Sequence, residues 1–310
     1  MLYRPVCRYH DSSFSRTRYR TVTFSDPKSF PALPENASYQ FYGGNGPDLH
    51  FYHANGFSSI TYQPFIEALT QSFSVSALDS RAVWPNIGTP PKTREWHVYA
   101  RDLIAFIEQH YQQPIIAVGH SLGASSTIYA ANMRPDLFKA LVLIEPAMLK
   151  RSMATAVRWM PDSMLKHIDP VKTTLNKQDR WPCRNSYREY CQQRRSFKRF
   201  HPKSFEAFVE HSVIDDGDEV TLRFPKAWEA HNFSQPPYML KEISKLSVPT
   251  VAVRGKPNVF FSQQIWQQWQ QCQPNAVFME DLQHGHLLPL ENPDSCAQLI
   301  IQGLTQLDCR

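Results

Sequence analysis

The segment from Pro114 to Ser126 constrains this chain more than any other. It reads Pro-Ile-Ile-Ala-Val-Gly-His-Ser-Leu-Gly-Ala-Ser-Ser. Pro114 to Val118 is the short apolar run of a strand buried on both faces, and Ser121 to Asn132 is a helical stretch rich in small residues. Between them lies a G-x-S-x-G sequence, with Gly119 and Gly123 flanking Ser121. Side chains at the two glycines would collide across a sharp strand-to-helix corner, and that corner exposes the serine hydroxyl. A serine hydroxyl is a poor nucleophile until a base stands within hydrogen-bond reach. The backbone N–H of Leu122, at the helix start, can point at a developing oxyanion.

The flanking sequence alternates strand-like and helix-like runs in two blocks. In the first, Tyr39–Tyr42 and Leu49–Tyr52 are short runs around Gly43-Gly44-Asn45-Gly46, a hairpin turn signal. A short helix over Pro64–Gln71 and a strand over Ser74–Leu78 follow. Trp96, Tyr99, Leu103, Phe106 and Ile107 then recur at helical spacing, which predicts a long amphipathic helix over Thr93–Tyr111. After the Ser121 corner, Leu141–Ile144 is another buried strand. From about Met148 to Lys245 the chain is basic, aromatic and mostly helical, without clear strands. Alternation resumes with strands over Thr250–Val253 and Ala276–Met279, and helices over Ser262–Gln271 and Asp294–Leu307. Continuous apolar strands separated by helices predict a mostly parallel, doubly wound α/β sheet covered on both faces. The expected organisation is a basic N-terminal extension over 1–34, a core over 35–147 and 246–310, and a helical cap over 148–245. A cap inserted there lies over the carboxyl ends of the strands, where open α/β sheets bind ligands.

Composition removes several other classes. A hydrophobic fraction of 42% with 20% charged residues is globular rather than disordered. The net charge of +5 is concentrated at Arg4, Arg8, Arg16, Arg18 and Arg20, and at Arg184, Arg188, Arg194, Arg195, Lys198 and Arg199. Neither cluster sits on a nucleic-acid motif, so both read as solvated surface, with an anionic substrate group as the other reading of the second. The cysteines (Cys7, Cys183, Cys191, Cys272, Cys296 and Cys309) have no zinc-site spacing and read as reduced thiols of a cytoplasmic protein. No run reaches the length of a transmembrane helix, and the N-terminus has no apolar core of a secretory signal.

With these motifs in place, residues 35–308 resemble the α/β-hydrolase superfamily, and within it the capped esterase, dehalogenase and C–C hydrolase branch with a serine nucleophile. His53-Ala54-Asn55-Gly56-Phe57 is similar to the family's His-Gly-Phe oxyanion loop, with Asn55 in place of the usual histidine. The resemblance implies that the N–H groups of Phe57 and Leu122 form the oxyanion hole. Asn55 and His53 are possible substrate contacts, and a structural role for His53 stands beside that reading. Leu78-Asp79-Ser80-Arg81 is similar to the Asp-x-Arg segment after the next strand, where Asp79 ties down its own loop. Gln283-His284-Gly285-His286 resembles the Gly-His segment before the last helix, so His286 is the base and His284 its rival. In most of the family the triad aspartate follows the strand that here holds Thr250–Val253, but Asn258 stands at that place. Some capped relatives carry the acid after the strand before the cap. Glu145, in Leu143-Ile144-Glu145-Pro146, occupies that position and is the expected acid, with Asn258 or another carboxylate as the alternative. Asp281 reads as solvated.

The implied activity is hydrolysis of a carboxylic ester or similar acyl bond through an acyl-enzyme, without metal or cofactor. The expected partner is a small acyl substrate with an apolar part, not nucleic acid or membrane, and the expected state is a monomer or homodimer. A C–C bond hydrolase, an acyltransferase and a non-catalytic binding protein of the same fold are the alternatives. Trp159, Trp181, Tyr187, Tyr190, Phe197 and Trp228 read mostly as the cap's own core.

Overall fold

A computed structural model of the chain describes residues 31–258 and 261–308. The N-terminal arginines Arg4, Arg8, Arg16, Arg18 and Arg20, with Cys7 and Cys309, lie outside the described residues.

Seven strands form one sheet: β1 (Tyr39–Gly43), β2 (Asp48–Tyr52), β3 (Ser74–Leu78), β4 (Ile115–His120), β5 (Phe138–Ile144) and, further along the chain, Thr250–Arg254 and Val277–Glu280. Three short strands come between: β6 (Arg180–Trp181), β7 (Val213–Asp216) and β8 (Glu219–Leu222). The last two strands of the large sheet are therefore β9 and β10. The order is β1-β3-β2-β4-β5-β9-β10. Only the β1–β3 pair is antiparallel. The strands at the centre are mostly apolar, and all six residues of β4 are buried. Such strands need cover on both faces.

The cover comes from helices whose apolar stripes face the sheet. The principal helices are α1 (Gln63–Thr70), α2 (His97–His110), α3 (Leu122–Met133), α4 (Arg151–Trp159), α5 (Arg184–Gln193), α6 (Pro202–His211), α7 (Lys226–Phe233), α8 (Gln263–Cys272) and α9 (Pro293–Gln306). One core cluster joins alternate residues of the strands to α1 and α9 through Phe65, Ile66, Leu69, Ile300 and Leu304. The other joins the opposite strand residues to α2, α3 and α8 through Leu103, Phe106, Ile128, Trp266 and Trp269. Period-2 alternation of the strands splits the core into these two halves.

Two expectations are corrected. The Gly43–Gly46 segment does not close a hairpin, because β1 pairs with β3 and not with β2. Gly44 and Gly46 have φ of 105° and 128°, and their α-carbons lie against the carbonyls of Thr70, Ser72 and Phe73. They carry the link closely across the corner between α1 and β3, where any side chain would clash. Second, the segment between β5 and β9 is not purely helical. It contains the antiparallel sheet β6-β8-β7. Its aromatic residues divide: Trp181, Tyr187 and Trp228 are buried, while Trp159 is 80% exposed. Trp181 packs on Tyr187 and Tyr190 with ring centroids 4.6 and 5.1 Å apart. The helix expected from Thr93 begins at His97. Among the described residues no helix is long and apolar enough to cross a membrane, and no group of His, Cys, Asp or Glu is arranged to hold a metal ion.

Candidate active site

Three loops at the carboxyl ends of β4, β5 and β10 bring together residues from distant parts of the chain. The first is the corner between β4 and α3. Ser121 has φ 54° and ψ −113°, a conformation sparsely populated by L-residues. It is held by Ser121 N–H donating to the Ile144 carbonyl at 3.0 Å and by its own carbonyl accepting from Ser125 N at 3.0 Å and Ala147 N at 3.2 Å. The flanking glycines are steric requirements. A Cβ at Gly119 would sit 2.5 Å from the Ala124 Cα, and one at Gly123 would strike the Tyr52 carbonyl.

The second loop places His286. Its Nε2 lies 3.1 Å from Ser121 Oγ, and its Nδ1 lies 2.7 Å from Glu145 Oε2. Nδ1–H therefore donates to the carboxylate, and the unprotonated Nε2 faces the serine hydroxyl as an acceptor. The third loop follows β5. Glu145 has φ 41° and is fully buried. Its N–H donates to the Val253 carbonyl at 2.9 Å, which fixes the backbone beside β9. Its Oε1 accepts from Gly255 N at 2.8 Å, and its Oε2 accepts from Asn258 Nδ2 at 3.0 Å as well as from His286. A buried carboxylate needs such donors to offset its desolvation. Asn258 is thus a donor to the carboxylate, and its own Oδ1 accepts from Phe261 N at 2.9 Å.

The His286 loop is tied from several sides. Gly255 lies so close that a Cβ there would overlap the carbonyls of His284 and Gly285. Lys256 N donates to the His284 carbonyl at 2.6 Å. Gly285 N donates to Glu291 Oε2 at 2.8 Å, and Arg199, from the segment between β5 and β9, pairs with Glu291 at 2.9 Å. The His120 ring nitrogen Nε2 lies 2.8 Å from the His286 carbonyl. His284 is engaged by a different carboxylate. Its Nδ1 bonds to Asp281 Oδ2 at 2.8 Å. Asp281, expected to be solvated, has a side chain only 10% exposed and also accepts from Ser295 Oγ at 3.1 Å and Gln283 N at 3.0 Å. Burial pushes its carboxyl up, but the bonds from His284, Gln283 and Ser295 outweigh that and hold it below the usual range.

The loop after β2 lies beside the corner. Leu122 is the first residue of α3, where a backbone N–H has no acceptor inside the helix. Gly56, with φ 84°, turns the chain into Phe57. The Phe57 ring packs against Tyr62 and against Phe208 of α6, with centroids 5.6 Å apart in both cases. Asn55 is engaged with α7. It donates to the Glu229 carbonyl at 3.1 Å and accepts from Asn232 Nδ2 at 2.9 Å, and Tyr99 donates to Asn232 Oδ1 at 2.7 Å. The Glu229 carboxylate, paired with Lys177, faces Gly56. His53 is fully buried. Its Nδ1–H donates to the Ala54 carbonyl at 2.8 Å, and its Nε2 accepts from Ser80 N at 2.8 Å. Both His53 ring nitrogens are engaged within the protein, and Asn55 is tied to α7 through its Oδ1 and one Nδ2–H. Asp79 accepts from Ser59 N at 2.7 Å and Ser38 Oγ at 2.9 Å, binding three segments at the start of its loop.

The sequence gives no sign of the roles of His120, Tyr62 and Glu291, and Arg199, read there as part of a basic cluster, pairs instead with Glu291. His120 stands inside the serine motif, whereas nothing in the sequence pairs Arg199 with the histidine loop.

Comparison with known proteins agrees with this architecture. Residues 50–299 match the model of the alpha/beta hydrolase family. The chain belongs to the α/β-hydrolase family. Within it, the chain is 33% identical over 103 residues to the 2-(acetamidomethylene)succinate hydrolase of Mesorhizobium japonicum, covering 33% of this chain and 36% of that protein. It thus aligns with about a third of that relative's length. It is 24% identical over 277 residues to the uncharacterized hydrolase YugF of Bacillus subtilis, covering 86% of this chain and 93% of that one. Two solved folds of the family superpose well. The structure of E-2-(acetamidomethylene)succinate hydrolase has a TM-score of 0.73 at 18% identity, with 87% of this chain and 95% of that chain covered. The peroxisomal α/β-hydrolase Lpx1 of Saccharomyces cerevisiae has a TM-score of 0.70 at 18% identity, with 90% and 87% covered.

Proposed function

We propose that the protein is a serine hydrolase that cleaves a carboxylic ester, or a closely similar acyl bond, through an acyl-enzyme. The observation that carries this reading is the pair of contacts at His286: 3.1 Å from Nε2 to Ser121 Oγ and 2.7 Å from Nδ1 to Glu145. Ser121 Oγ attacks the acyl carbon while His286 takes its proton. The tetrahedral oxyanion is held by the N–H groups of Phe57 and Leu122. His286 returns the proton to the leaving group as the C–O bond breaks. A water molecule, deprotonated by the same imidazole, then releases the acid and regenerates Ser121. Glu145 keeps Nδ1 protonated and stabilises the imidazolium that forms in each half-reaction. A carboxylate after β5 replaces the aspartate usual after β9, so the asparagine at 258 does not by itself argue for a non-catalytic protein.

A panel of p-nitrophenyl esters of rising acyl length tests the reading. Relatives named 2-(acetamidomethylene)succinate hydrolase and type I acyl-CoA thioesterase are the reason to extend the panel to amides and thioesters. Turnover of at least one class should fall by about 10⁵- to 10⁶-fold in Ser121→Ala. Turnover unchanged in Ser121→Ala would remove the serine from the mechanism. Release of free acid, rather than transfer to an added alcohol, separates hydrolysis from acyl transfer.

A further inference from the structure

His120 occupies the variable position between Gly119 and Ser121, and the mechanism above gives it no role. It is fully buried, at the last residue of β4. Both ring nitrogens have partners. Tyr62 Oη lies 2.9 Å from Nδ1, and the His286 main-chain carbonyl lies 2.8 Å from Nε2. A carbonyl can only accept, so Nε2 carries the proton and Nδ1 accepts from the Tyr62 hydroxyl. The tautomer is thereby fixed from both sides. Burial first, and the neighbouring His286 second, push the His120 pKa down to about 3, so the ring stays neutral wherever the enzyme would work. A neutral ring matters, because its centroid is 5.2 Å from that of His286, where a second cation would oppose imidazolium formation.

Tyr62 reaches further. Its ring also packs under Phe57, whose own ring meets Phe208 of the segment between β5 and β9. One buried tyrosine therefore touches the oxyanion loop on one side and, through His120, the main chain of the base on the other. The base and the oxyanion loop are far apart in sequence, and the His120 ring joins them through the His286 carbonyl.

We infer that His120 is a positioning residue: its Nε2–H, set by the Tyr62 hydroxyl, holds the His286 carbonyl and so fixes the imidazole between Ser121 and Glu145. This inference rests on the hydrolase reading given above. The imidazole is attached to a short loop, and a displacement of about 1 Å at a reacting group can cost on the order of 100-fold in rate. The hydrogen bond contributes orientation, not charge and not substrate contact.

Four variants and two measurements test it: His120→Gln, His120→Asn, His120→Leu and Tyr62→Phe, each compared with wild type in steady-state kinetics on the best ester and in amide hydrogen exchange over residues 283–288. Glutamine carries an amide N–H to about the place of Nε2, whereas asparagine is one methylene too short. The expected result is a drop in kcat of about 10- to 100-fold for His120→Leu and His120→Asn with KM unchanged within about twofold. His120→Gln should recover most of that loss, and Tyr62→Phe should lose only a few-fold. Exchange over 283–288 should quicken in the Leu and Asn variants and stay near wild type in the Gln variant. The inference is overturned if folded His120→Asn keeps wild-type kcat, if His120→Gln is as slow as His120→Asn, or if exchange of the loop does not change. Should His120→Leu fail to fold, the Gln–Asn pair and Tyr62→Phe carry the comparison. A wild-type protein with no ester turnover would retire the hydrolase reading, and the exchange arm would still decide whether His120 holds the loop.

Discussion

Glu145 and Ser121 both stand in left-handed backbone conformations, with φ of 41° and 54°. Neither residue type favours that region, and each instance costs about 1–3 kcal/mol. Both are held by main-chain bonds at the ends of adjacent strands, and both side chains converge on His286. The strain is therefore stored where geometry has to be fixed. Glu145→Gln keeps an acceptor oxygen for Gly255 N, but its amide NH2 would face the donors Asn258 Nδ2 and His286 Nδ1, so the imidazole loses its carboxylate. Its kcat should fall by about 10³- to 10⁴-fold, read in ester hydrolysis at neutral pH. Asn258→Asp is the sharper substitution. It places an aspartate at the position common in the family, yet the side chain there donates to Glu145 at 3.0 Å. A carboxylate would repel rather than donate, so the variant should lose roughly 1–3 kcal/mol of stability and some activity. A gain in kcat would show that 258, not 145, is the site for the acid. At this scale Ser121, His286 and Glu145 were legible because each falls at a strand end in a motif with local sequence cues. His120 was not. Its partners lie 58 and 166 residues away, and a histidine inside a glycine-serine motif carries no mark of what it touches.

Elements were read well where their pattern was long or continuous, and poorly where pairing decided. The strands β3, β4, β5 and β9 follow from apolar runs, with ends shifted by a residue or three. The turn glycines at 43, 44 and 46 could not reveal pairing partners, because a hairpin and a tight crossing need the same positive φ. The small sheet in the segment between β5 and β9 did leave a signal. Val213-Ile214-Asp215-Asp216-Gly217-Asp218-Glu219-Val220 has a two-residue Gly-Asp turn between short strands, with Gly217 at φ 66°. Strands of four residues, one exposed on its outer face, are too short for periodicity to register. The corner between β4 and α3 makes an element-scale prediction. Gly123→Ala would push a methyl into the carbonyls of Tyr52 and His53, which are backbone atoms that cannot rotate away. Its unfolding free energy in urea should fall by about 1–3 kcal/mol, with α3 displaced and ester turnover lost. Wild-type stability with an alanine there would contradict the packing described at this corner.

The whole molecule keeps several histidines neutral in its interior, and this sets its response to acid. Burial, with smaller contributions from a neighbouring histidine, pushes His50 and His120 down to about 3. Burial also holds His53 low against the pull of Asp79. An unfolded histidine binds its proton near pH 6.5. Between these two values the unfolded chain therefore holds protons that the folded chain does not, approaching two at about pH 5. Stability rises with pH across this window and falls as pH drops, by about 2.7 kcal/mol per pH unit for two protons. Urea midpoints measured from pH 6.5 to 4.5 should follow that slope, and His120→Gln should flatten it by about one proton. An equal slope in both proteins would mean that His120 titrates normally. Cover on both faces of the sheet was legible from the continuous apolar strands, whereas the docking of α6 and α7 onto the loop after β2 was not, because it depends on contacts between distant segments. Activation of Ser121 as a nucleophile by His286 and Glu145 is the step on which the proposed hydrolysis depends. It is tested most directly by incubating the protein with a fluorophosphonate and mapping the adduct by peptide mass spectrometry. The account predicts one label, on Ser121, formed rapidly in wild type and slowed by at least about 10³-fold in His286→Ala and Glu145→Gln. No adduct on Ser121 of the folded protein, or equal labelling in all three, would contradict it.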